Sequence, residues 1–204
     1  HHVRRVSADD VLAALRSSAL QVAPGVAEAC VTHLKMMLPR LQLNHRQRRD
    51  CVQSIEALLD TLSEPENEGI EHRDAFILST WPGLGSLTRA TMLAEAWQAL
   101  EARDYRLLRS LAGLAPITKQ SGKRLSVSMR MACNQRLRQA MHQWGLASIR
   151  YDERSKQHYA RLRARGHSNG RALRGVADRM LAGVIASLRD NTPFDPARRS
   201  CKAA

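Results

Sequence analysis

The chain has 204 residues, 44% hydrophobic but only 4% aromatic, and its 32 Lys and Arg against 19 Asp and Glu give a formal charge of +13. That length holds one domain with a sizeable core or a compact domain with a helical appendage, and the shortage of aromatic residues leaves Leu, Ala, Met, Val and Ile to build a core of packed helices. The cation excess points to a polyanionic partner, and with no apolar run near the roughly 20 residues of a membrane span and no charged-then-apolar leader, a membrane partner is not expected.

Asp9 or Asp10 is expected to cap a short helix in DDVLAALRSSAL, which ends before Ala23-Pro24-Gly25. The longest periodic stretch follows. Val26, Cys30, Val31, Leu34, Met37, Leu38 and Leu41, then Ile55, Leu58, Leu59 and Leu62, recur at spacings of three and four, the pattern of one apolar helical face. Its middle, NHRQRRD at 44–50, is polar, and Pro39 removes a backbone hydrogen bond and crowds the preceding turn. The reading for residues 1–64 is two helical arms or one bent one, a coiled-coil segment able to form a homodimer or to pair with another partner. Two ordinary bundle helices fit the same pattern, and Pro39 and the polar middle weigh against the dimer.

SEPENEG at 63–69 is the best domain boundary. It separates the arms, through a linker at 65–70, from a compact helical domain at 71–191 and a tail at 192–204. Helices are predicted at 71–80, 86–100, 103–112, 133–150, 152–165 and 170–189. In the last, Leu173, Val176, Ala177, Met180, Leu181, Val184, Ile185 and Leu188 make one stripe, which belongs to the core. The fold class is therefore mainly α.

Between the first two of these helices stands Trp81-Pro82-Gly83-Leu84-Gly85, followed by Ser86 and Thr88. This is a helix-hairpin-helix pattern: the glycines permit a tight turn and Leu84 plugs the gap. The amides around Gly83, Gly85, Ser86 and Thr88 would then face outward at the positive end of the second helix, where a DNA phosphate binds without its base sequence being read. A purely structural turn is the competing reading.

The second half carries the charge, with fifteen Lys and Arg and three acids between 119 and 179. It opens on ITKQSGKRLSV, a loop or hairpin with Ser121-Gly122 at its tip. A serine hydroxyl becomes a nucleophile on phosphate only when a base takes its proton and cations stabilise the transition state. Lys119, Lys123 and Arg124 flank Ser121, and Arg130, Arg136 and Arg138 follow; Gly122 leaves a phosphate room to approach. Ordinary turn chemistry explains the same residues. Farther on, Arg154, Lys156, Arg161, Arg163, Arg165, Arg171 and Arg174 outnumber every acid, whereas a merely solvated face mixes signs.

The blocks ILSTWPGLGSLTRATMLAEA, LRSLAGLAPITKQSGKR, NQRLRQAM, YARLRARG and ALRGVADRML, in this order over roughly 71–190, resemble the C-terminal half of the insertion sequence 110 transposases, the bridge-RNA-guided recombinases that include Piv-type invertases. The resemblance implies a transposase and recombinase function, with DNA and a guide RNA as partners in a bacterial, nucleoid-associated cytoplasm. It also implies Ser121 as the covalent nucleophile, because the family's A-G-L-A-P and S-G pattern falls on Ala112–Pro116 and Ser121-Gly122. Ser126 and Ser128 compete for that role but lack the following glycine. In the family, four acidic residues of a RuvC-like N-terminal domain hold magnesium. Here the acids are scattered, so no metal site and no cofactor are expected in this chain, which begins His1-His2 without Met and is read as a fragment that binds nucleic acid without cutting it. A non-catalytic helix-hairpin-helix DNA-binding module is the alternative.

His142, His158 and His167 lack metal-ligand spacing and are read as surface or phosphate-adjacent residues. Trp81, Trp97 and Trp144 are assigned to apolar helix faces. The cysteines (Cys30, Cys51, Cys133, Cys201) form no C-x-x-C pair and are expected to be reduced thiols.

Overall fold

The computed structural model describes residues 7–17, 23–64, 70–122 and 124–196. These form α1 (Ala8–Arg16), α2 (Val26–Leu62), α3 (Ile70–Ser79), α4 (Ser86–Glu101), α5 (Tyr105–Leu111), β1 (Ile117–Ser121), β2 (Arg124–Ser128), α6 (Gln135–Tyr151), α7 (Glu153–Ala164) and α8 (Asn169–Asp190). The fold is mainly α, as the apolar periodicity predicts, and the chain divides into two compact units, His1–Asp50 and Cys51–Ala204.

In the first unit every described residue is exposed. The cap of α1 is Ser7 rather than Asp9 or Asp10: its hydroxyl accepts from the Asp10 amide while the Asp10 carboxylate accepts from the Ser7 amide, a reciprocal box that uses the aspartate three residues into the helix. These bonds hold the Asp10 carboxyl below its ordinary range. Of the two forms predicted for the arms, α2 takes the single one, a 37-residue helix with Pro39 inside it. Proline forfeits one hydrogen bond, and the flanking Leu, Met, Gln and Arg are strong helix formers that continue the helix on both sides.

The second unit is built on α8, with nine buried residues from Ala172 to Leu188. Each large aliphatic side chain so buried contributes roughly 1.5–3 kcal/mol. α6 lies against it at Gly145, where a Cβ would stand 3.0 Å from the Leu173 carbonyl oxygen, and α7 approaches at Gly175, where a Cβ would meet Leu162 at 2.7 Å. Trp144 of α6 is fully buried and donates through Nε1 to the Pro82 carbonyl at 3.1 Å, tying α6 to the α3–α4 turn. Trp81 meets Trp144 edge-on and stacks at a tilt with Phe194. Trp97 departs from the sequence reading: it is 50% exposed, because α4 buries Met92, Ala96, Ala99 and Leu100 instead. At the end of α4, Arg103 adopts positive φ and its guanidinium donates twice to the buried Asp74 carboxylate.

β1 and β2 make an antiparallel two-stranded sheet with Ile117 opposite Ser128 and Ser121 opposite Arg124. The two-residue connection begins at Gly122, whose φ of +55° suits the turns that match strand twist.

Candidate nucleic-acid interface

The hairpin is the natural place to begin, because its pleat sorts residues by parity. In this register positions 117, 119, 121, 124, 126 and 128 share one face, and 118, 120, 125 and 127 share the other. Ser121, Ser126 and Ser128 thus fall on one side, and Leu125 and Val127 on the opposite one. Ser121 is the last residue of β1 and is exposed. Among the described residues its hydroxyl has no hydrogen-bond partner. Gly122 has open space where a Cβ would be, so its φ, not crowding, is what calls for glycine. Lys123 and the side chains of Lys119 and Arg124 lie outside the described residues.

At the root of the hairpin, β2 and the Gly113–Pro116 loop face the end of α7 and the start of α8 across a cleft of about 230 Å³ lined in part by Val127, Ser128, Arg109, His167, Arg171, Arg174 and Asp178. Gly113, at φ +65°, is pressed against Cys133 and Arg138, so the loop has no room for a side chain there. Arg109 donates through Nε to both oxygens of Asp178 at 2.8 and 3.0 Å, and the Tyr105 hydroxyl donates to the same carboxylate at 2.8 Å. The bond to Asp178 raises the Arg109 value further. Burial, then the Asp178 bond, pushes Tyr105 up to about 12.

The other arginines split into groups. Arg138 and Arg171 stand close enough to Arg174 for their charges to act on it. Arg161 and Arg165 act likewise on His158, which burial first, then Arg179 and these two, holds below its ordinary value. Arg163 donates to the His167 carbonyl at 2.6 Å and so closes the end of α7. Arg130 is half-buried, with no partner for its Nε among the described residues. Arg136 is solvent-exposed yet paired: it donates to Glu95 at 2.9 Å, as Asn134 does at 2.6 Å. Those two hydrogen bonds, Asn134 first, hold the Glu95 carboxyl low.

Among the described residues none of the α3–α4 turn lines the cleft. Gly83 has φ +71° and packs on α6, where its Cβ would stand 3.0 Å from the Ser148 amide nitrogen. Gly85 is the N-cap of α4, with open space around it, and Thr88 is buried. Thr88 and Arg136 both line a shallow groove between α4 and α6. The Ser86 hydroxyl donates to Glu56 of α2 at 2.9 Å. An acid of the chain itself therefore stands beside the start of α4, a residue that sequence reasoning missed. Sequence reasoning also missed Glu95 and the Asp178 network. None has a local signal, since each partner lies at least 30 positions away.

Among the described residues no group of three or more His, Cys, Asp or Glu could hold a metal ion. No described helix is long and apolar enough to cross a membrane.

Residues 75–160, from α3 through the hairpin into α7, match the family model described as Transposase IS116/IS110/IS902 family. The mini-circle putative transposase for IS117 of Streptomyces coelicolor is 36% identical over 129 residues, covering 63% of this chain and 31% of that protein. The insertion element IS110 uncharacterized 43.6 kDa protein of the same organism is 30% identical over 188 residues, 92% of this chain and 44% of the relative. An IS900 uncharacterized 42 kDa protein of Mycobacterium paratuberculosis is 33% identical over 147 residues, 71% and 37%. The chain thus spans less than half the length of each of these relatives. With the turn, the hairpin and α6 all inside the matched segment, and a 30% identical relative aligned over 92% of the chain, the chain belongs to the IS110 family of transposases.

Proposed function

We propose that this chain is the DNA-binding part of a guide-RNA-directed transposase that uses Ser121 as its nucleophile on a DNA phosphate. The observation that carries the reading is the exposed Ser121 at the end of β1, beside a glycine turn at the tip of a hairpin whose root borders a cleft lined by arginines. In the step proposed, Ser121 Oγ forms a bond to phosphorus as the bond from phosphorus to a sugar oxygen breaks. A base takes the serine proton, the departing oxygen gains one, and a phosphoserine ester joins protein to DNA. Charge developing on the phosphoryl oxygens is what nearby guanidinium groups would stabilise.

The base and the metal-holding acids belong, in the resemblance, to the family's acidic domain, so the 204-residue chain alone binds DNA and does not cut it. The turn at Gly83–Gly85 acts as a helix-hairpin-helix element, and α2 offers an apolar face for a coiled-coil homodimer, with Val31, Leu34, Met37, Leu38 and Leu41 all exposed. The setting is the bacterial cytoplasm, at the nucleoid.

The test is Ser121→Ala in a chain extended by the family's acidic domain. Duplex binding should stay within about twofold while the serine-linked DNA product disappears. A linked product that persists in the variant moves the chemistry to Ser126 or Ser128. If the unsubstituted protein never forms one, the second reading stands, a non-catalytic binding module, favoured by a Ser121 hydroxyl with no hydrogen-bond partner among the described residues. Either reading requires steep salt dependence: six phosphate contacts lose about 10³ in affinity between 50 and 200 mM salt.

A further inference from the structure

The start of α8 reads Asn169-Gly170-Arg171-Ala172-Leu173-Arg174. Ala172 and Leu173 are fully buried, which turns Arg171 and Arg174, three positions apart, toward the cleft they line. There is no acid in this first turn, and the Ser168 N-cap makes no side-chain bond. Cations at a helix start sit where the dipole disfavours them. Arg138 adds its charge: burial first, then Arg138 and Arg171, lowers the Arg174 value. Among the described residues the one carboxylate lining the cleft, Asp178, is engaged by Arg109 and Tyr105. Among the described residues neither Arg171 nor Arg174 has a hydrogen bond or ion pair. Three guanidinium groups are therefore gathered without a counter-charge, at an energetic cost that an anion in the cleft would relieve.

The far wall is the root of the hairpin. Val127, Ser128 and Met129 line the same space, and Ser128 pairs with Ile117, four residues before Ser121. At about 3.4 Å per residue Ser121 stands about 14 Å from that root. This is also about four base-pair steps of rise along the axis of a DNA duplex, at about 3.4 Å each.

We propose that the cleft seats a single DNA phosphodiester on Arg171 and Arg174, and that the seated phosphate clamps the hairpin root to α8 and so positions Ser121 over the duplex about four base-pair steps farther along its axis. The assignment rests on the DNA-binding reading above. Guanidinium suits the seat because its planar fork grips two phosphoryl oxygens at once.

The experiment uses the 204-residue chain and a 20-base-pair duplex, with Arg171→Gln, Arg174→Gln, the double variant and Arg174→Lys, each first checked for an unchanged melting temperature. Each phosphate contact contributes about 0.9 to the slope of log affinity against log salt. Because both arginines share one phosphate, the double variant should lose about one unit of slope and no more. A loss near two means two separate phosphates and overturns the single seat. A loss near zero overturns the seat altogether. Amide hydrogen exchange over residues 117–128, read at equal DNA occupancy, supplies the second arm: DNA should slow exchange about tenfold in the unsubstituted chain and leave it unchanged in the double variant. Arg174→Lys should keep the charge and lose most of that protection. Equal protection in all variants, with DNA still bound, removes the clamp and leaves the function standing. A chain that binds no DNA at all removes both.

Discussion

In α8 nine residues are buried, whereas in the hairpin Leu125 and Val127 are 62% and 59% exposed. Both elements belong to the same unit, yet one is fixed by packing and the other by little more than its own ladder and turn. An isolated two-stranded hairpin is at best marginally stable in water. The contrast teaches where rigidity and adaptability are placed: the helices supply a frame of fixed charge, and the serine rides on an element that a bound strand can order.

The sharpest challenge to that contrast is Trp144→Ala. It empties a fully buried site and removes the bond to the Pro82 carbonyl, and should cost about 3–5 kcal/mol, read as a shifted urea midpoint. If the loss is under 1 kcal/mol, the helical frame is not what holds the unit together. Next comes Gly83→Ala, which meets both a positive φ and the α6 backbone and should lose about 1–3 kcal/mol in the same denaturation. Glu56→Gln acts on function more than on stability. Removing the carboxylate beside the α4 N-terminus should raise duplex affinity about threefold at low salt, the effect of a charge at a helix end. Unchanged affinity in an anisotropy titration would place DNA away from that turn. Leu125→Ser should shift stability by less than about 0.5 kcal/mol, as for other exposed positions.

The gentlest prediction concerns pH. His158 titrates below 6.5 in the folded chain, so between that value and 6.5 the unfolded chain binds more protons, and stability falls as pH drops through this window. His158→Gln should flatten that decline in melting temperatures measured across it.

Much of the frame was legible in the residues because it is periodic. The α8 stripe from Leu173 to Leu188 and the α6 residues Leu137, Met141 and Trp144 are buried as their spacing predicts. The hairpin was legible as a break carrying Ser121-Gly122, and its sorted faces follow from strict alternation. Three features were not. The α1 cap falls to Ser7 because an aspartate three residues on closes the box from inside the helix. Pro39 left two forms open, two arms or one bent helix, and the single helix is taken because one lost bond does not outweigh good helix formers on either side. Trp97 faces water because α4 turns Met92, Ala96, Ala99 and Leu100 to the core instead. At the interface Ser121 and the arginines are visible as types. The pairing of Glu95 with Arg136, of Asp178 with Arg109 and of Glu56 with Ser86 is decided by tertiary approach, on which local spacing is silent.

At Gly145 the backbones of α6 and α8 meet with almost no side chain between them, and at Gly175 the Leu162 side chain of α7 fills the space a Cβ would take. Sliding α8 along α6 would press the Leu173 carbonyl against Gly145, so a force applied to one of these helices passes directly to the other. The compliant ribbon takes up the remaining motion: a stiff handle carries a soft finger, and the finger is where Ser121 sits.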